Sequence, residues 1–94
     1  MYHIYGLNYN QGRFSIECLL DYPIESKIQA KMKYKKVIKL SAQGMGAGLF
    51  DASKGIWIGT CNNGKNTPKM TKYLNEKRFG PSLDKTYYVA NVPL

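Results

Sequence analysis

Residues 26 to 43, SKIQAKMKYKKVIKLSAQ, constrain the fold more than any other stretch of the chain. Even positions from 28 to 42 carry Ile, Ala, Met, Tyr, Lys, Ile, Leu and Ala, with only Lys36 out of place. Odd positions from 27 to 43 carry Lys, Gln, Lys, Lys, Lys, Val, Lys, Ser and Gln, with only Val37 out of place. A period of two is the pattern of a strand with one buried and one wet face. Helix propensity opposes it, because Lys, Gln, Ala and Met favour helix. A helix would align Ile24, Ile28 and Met32 but would put Lys31 and Lys35 on the same stripe. The alternation therefore predicts a strand. Its length far exceeds the ~5–6 residues of a typical one. It must bend, break near Lys35 and Lys36, or project as an arm, and a bent strand shared between two halves of a small barrel is one economical solution.

The flanking segments supply the rest of a small sheet. YHIYGLNY (2 to 9) is rich in aromatic and β-branched residues and ends at the turn signal NQG. Residues 13 to 21 then alternate, with Phe14, Ile16, Cys18 and Leu20 against Arg13, Ser15, Glu17 and Asp21. Together they predict an antiparallel hairpin, ended by Pro23. GMGAG (44 to 48) is expected to be a loop, and LF-DASKG-IWIGTC a second hairpin closed by Gly55. NTPKMTKYLNEKRFGP has the punctuation of a helix. Asn66 or Thr67 can cap it, Pro68 suits its first position, and Gly80-Pro81 is expected to stop it. Met70, Tyr73 and Leu74 form its apolar stripe. KTYYVANV (85 to 92) is expected to close the sheet.

Ninety-four residues, 44% apolar and 21% charged, suit one globular domain. The order of elements predicts a single α+β domain, either an antiparallel sheet or a small curled barrel of five to six strands, with one helix in the C-terminal half.

The run from Gly59 to Gly64 and Lys65 spells G-x-x-x-x-G-K, the phosphate-binding P-loop motif. The chemistry of that loop needs a Ser or Thr after the lysine to hold Mg²⁺, but Asn66 stands there and Thr67 comes one position late. Pro68 also removes one amide from the helix start. The parallel sheet of such enzymes needs several crossover units of ~30 residues each, for which the chain has no room. CNNGKN is accordingly expected to be a loop and NTP a helix cap. A single phosphate beside Lys65, Lys69 and Thr67 remains compatible with a helix start.

Other chemistry is sparse. His3 is the sole histidine, and no cluster of ligands has metal spacing, so neither metal nor cofactor is expected. His3 as the base of a small ribonuclease is a subordinate reading. Cys18 and Cys61 lack C-x-x-C spacing and are expected to be reduced thiols. No signal peptide and no apolar run of membrane-spanning length appear, which predicts an intracellular, cytoplasmic protein.

The cations are clustered instead. Fourteen Lys and Arg face six Asp and Glu, for a net charge of +8. Six lysines fall between 27 and 39 with no acid among them, and five more cations lie between 65 and 78. On the strand reading Lys27, Lys31, Lys33, Lys35 and Lys39 line one face and can follow a phosphate backbone, helped by Lys65, Lys69 and Lys72. Twelve lysines against two arginines favour backbone contact over reading of base edges. Tyr5, Tyr9, Tyr87 and Tyr88 are the candidates for base stacking, because alternating or adjacent tyrosines cannot all point inward. The expected function is thus a small non-catalytic basic protein that binds nucleic acid through phosphates. The first alternative is a viral or mobile-element inhibitor or adaptor whose cationic face meets an acidic surface on a host protein. The second is a small phosphate-handling enzyme or nucleotide binder. An exposed edge of the long strand would also allow a homodimer.

Overall fold

The lysine segment is a helix, not a strand. In a computed structural model, which describes residues 1–10, 13–18, 22–41, 45–81 and 86–88, Lys27–Leu40 form the 14-residue helix α1. Ser26 starts it by accepting a 3.3 Å hydrogen bond from the Gln29 amide, the role a serine N-cap performs. Its inner stripe is Ala30, Tyr34, Val37 and Ile38, which stand at i, i+4, i+7 and i+8. The period-two pattern failed because it placed Ile28, Met32 and Leu40 on a buried face, whereas they are 73%, 58% and 85% exposed.

Six strands accompany it: β1 (Tyr2–Asn10), β2 (Arg13–Cys18), β3 (Met45–Asp51), β4 (Ile56–Asn62), β5 (Lys65–Asn66) and β6 (Thr86–Tyr88). They form one sheet in the order β5-β4-β3-β1-β2-β6, with every neighbouring pair antiparallel. Among the described residues the sheet is open, so the barrel alternative does not form. Both expected hairpins are present. Residues 5 to 10 pair with 13 to 18, and β3 and β4 are joined by a turn in which Gly55 has φ 70°. The expected loop at 44 to 48 is strand instead from Met45 onward. Gly48 belongs there because a Cβ at that position would lie 2.6 Å from the Trp57 ring, so only glycine lets the indole lie over the strand.

Successive residues of the central strands point to opposite faces and bury against different helices. Ile4, Ala47, Leu49 and Cys61 pack with Ala30 and Tyr34 of α1 on one face. Leu7, Ile16, Phe50 and Trp57 pack on the other with Met70 and Leu74 of α2 (Pro68–Glu76). The domain is therefore α+β, as expected, with one helix on each face of the sheet.

The C-terminal-half helix begins where Pro68 and its cap Thr67 predicted, yet it ends before Gly80-Pro81. Arg78 takes a left-handed φ of 56°, the Phe79 amide donates to the Leu74 carbonyl at 2.9 Å, and the Arg78 amide to the Asn75 carbonyl at 3.2 Å. Those two bonds make a Schellman stop without glycine. The start of β4 is also tied to α2. The Asn75 side chain accepts from the Trp57 amide at 2.8 Å and donates to the Trp57 carbonyl at 2.9 Å, so it occupies the outer edge of β4 as a neighbouring strand would.

Candidate functional site

A lysine-rich helix can present its charges as a row only at a spacing of three or four. Lys27, Lys31, Lys35 and Lys39 meet that condition. They are four apart, step about 6 Å along the axis, and drift about 40° around it at each step. All four are exposed, and α1 contains no acid. None of the helix's six lysines has a carboxylate partner among the described residues. The row expected on a strand thus exists as a helical ridge, with one loss. Lys33 leaves it, since the helical period turns that residue toward the opposite flank, together with Lys36 farther round.

Two features of the ridge do not serve stability. Lys27 occupies the first turn of α1, which has no acidic residue, and there a positive charge opposes the helix dipole. Ile28 and Met32 stand among the ridge lysines and remain largely in solvent. Sequence reasoning missed both apolar residues as surface groups, although a helical wheel would have revealed them.

The second cationic segment is spread over two elements. Lys65 lies on β5, while Lys69 and Lys72 are exposed on α2. Lys72 Nζ sits 3.8 Å from Glu76 Oε1, a solvent-exposed i,i+4 pair of small energetic weight. The end of α1 is pinned next to this segment: Ser41 Oγ donates to the Ile38 carbonyl at 2.9 Å and accepts from the Gly64 amide at 2.6 Å. Gly64 and Asn63 have φ values of 76° and 53°, two consecutive left-handed residues that turn β4 into β5. The P-loop motif is thus a β-hairpin turn followed by a helix cap. The Thr67 hydroxyl does not cap α2; it meets the buried Thr60 Oγ1 at 2.7 Å, and Thr60 Oγ1 also lies 2.9 Å from Thr71 Oγ1.

The remaining candidates are placed as follows. Tyr5 is half-buried, edge-on to Phe50 and Trp57, with His3 stacked on it at 5.8 Å. The side chains of Tyr9, Tyr87 and Tyr88 lie outside the described set. Cys61 is a free thiol, fully buried beneath α1. Among the described residues no three His, Cys, Asp or Glu side chains converge on a metal-sized site, and no helix is long and apolar enough to cross a membrane. Compared with protein-family models, with characterised proteins and with solved structures, the chain matches none of them.

Proposed function

We propose that the protein binds nucleic acid, without catalysis, by laying the α1 ridge of Lys27, Lys31, Lys35 and Lys39 along a phosphate backbone. The observation that carries this reading is the ridge itself: four exposed ammonium groups at four-residue spacing along one flank of α1, none of them in an ion pair among the described residues, and one of them held against the helix dipole. A step of about 6 Å is of the order of the spacing between successive phosphates along one backbone, so neighbouring ridge lysines can meet neighbouring phosphates. Lys65, Lys69 and Lys72 extend the positive field past the β4–β5 turn. The reading places the protein in the cytoplasm, in keeping with the free thiol of Cys61.

The test is a salt titration of binding to a fluorescent oligonucleotide. Displacement of counterions from about four phosphates predicts a log–log slope of roughly −2.8 to −3.6, and an affinity that falls roughly 50- to 150-fold between 50 and 200 mM salt. Affinity insensitive to salt, or no binding at 50 mM, would refute the reading.

One observation favours a second reading, an adaptor or inhibitor that grips an acidic protein surface. Ile28 and Met32 are exposed within the lysine ridge, and phosphates offer nothing to an apolar side chain, whereas a protein groove does. Under this reading a nuclease-treated pull-down yields one stoichiometric partner, which Ile28→Ser with Met32→Ser releases. If that double variant keeps the partner, or if nuclease removes everything that co-purifies, this second reading fails.

A further inference from the structure

The edge of the sheet between the two helices carries an open trough in two adjoining hollows of 290 and 410 Å³, which share Ile58, Gly59 and Asn66. Lys31 and Lys35 of α1 bank the first hollow, and Thr71 and Lys72 of α2 bank the second. Because α1 and α2 cover opposite faces, the trough passes over the β4 edge from one side of the sheet to the other. Its floor combines Ile58 and the Gly59 backbone with the polar Asn66, one bank carries two lysines, and the other carries Lys72, whose exposed ammonium also lies 3.8 Å from Glu76.

That layout selects among occupants. A protein strand adding to β4 needs outward backbone groups, but Asn75 already holds both of those on Trp57, and the Thr67 amide holds the Thr60 carbonyl at 2.9 Å. A polyanion needs none of them. A duplex, stiff over about 150 base pairs, can lie along the α1 ridge but cannot fold over a sheet edge. A single strand bends freely at each nucleotide and offers base faces to the floor as well as phosphates to the banks.

We infer that the ligand is single-stranded nucleic acid, which crosses the β4 edge with its phosphates on Lys31 and Lys35 on one bank and on Lys72 on the other. This rests on the nucleic-acid reading above and adds the strandedness and the path. Lys72 is the informative position, since it lies on the far face from the ridge and its side chain is 78% exposed, so its removal leaves the fold intact.

The experiment compares fluorescence anisotropy of a single-stranded oligonucleotide of about 12 nucleotides with its duplex at low salt, for the wild type, Lys72→Ala and Lys54→Ala. The single strand is expected to bind at least about tenfold tighter than the duplex. Lys72→Ala is expected to weaken single-strand binding roughly three- to tenfold, to flatten its log–log salt slope by about 0.7, and to leave duplex binding unchanged. Lys54→Ala, in the β3–β4 turn, changes neither. Equal or tighter duplex binding, or an equal loss for both ligands in Lys72→Ala, overturns the path while leaving nucleic-acid binding in place. No binding of either ligand overturns both.

Discussion

Replacing Asn75 by leucine is expected to lower the stability of the domain by about 2–4 kcal/mol, seen as a fall of roughly 10–25 °C in Tm. The reason lies in the β4 edge. Asn75 Oδ1 and Nδ2 satisfy the amide and the carbonyl of Trp57, a residue 2% exposed at the centre of the larger aromatic cluster. Leucine has a similar volume and fills the space, but it leaves two backbone groups beside a buried residue without partners. Asn75→Asp discriminates the mechanism. The carboxylate still accepts from the Trp57 amide but repels the carbonyl, so its loss should be substantial and include a contribution absent at low pH, where the acid can donate. For a chain of this length, with a total stability on the order of 5–14 kcal/mol, the leucine variant removes a large fraction. It also uncovers a strand edge, so the variant is expected to aggregate on heating where the wild type does not. A Tm within a few degrees of wild type would mean that water replaces the side chain and that the clamp is unimportant.

Much of the architecture was legible because its signals are local. Gly55 and the run from Pro68 to Leu74 identify a turn and a helix from properties of the backbone alone, and both stand where those properties place them. The glycines at 46 and 48 misled because their reason is tertiary: they sit in a strand so that Trp57 and the Cys61 backbone can come close, which no local rule announces. Residues 27 to 40 misled for a different reason. The apolar residues of even parity include two, Ala30 and Tyr34, that are buried, and three, Ile28, Met32 and Leu40, that are not. Propensity and the Ser26 cap carried the correct answer, while the alternation was a coincidence of lysine placement. The charge cluster was evident in sequence. Which lysines share a side was not, because that depends on whether the period is two or 3.6.

The second large effect follows from that period. If the contact surface is the helical ridge, the position of a lysine on α1 matters more than its charge. Lys27, Lys31, Lys35 and Lys39 all changed to Gln should abolish useful binding, with a loss of roughly 100-fold or more at 50 mM salt, because about four phosphate contacts disappear together. Glutamine is nearly as good a helix former as lysine, and the four positions are exposed, so α1 should persist and Tm should move little. A matched variant with Lys33, Lys36, Lys54 and Lys77 changed to Gln removes the same four charges from a net of +8, all of them exposed and off the ridge. It should lose only the weaker long-range attraction, within about tenfold.

Side-by-side anisotropy titrations of these two equally charged variants against one oligonucleotide are the decisive measurement. The ridge predicts that binding collapses in the first variant and largely survives in the second. Equal affinities in the two would show that net charge alone attracts the polyanion and that α1 presents no organised surface to it.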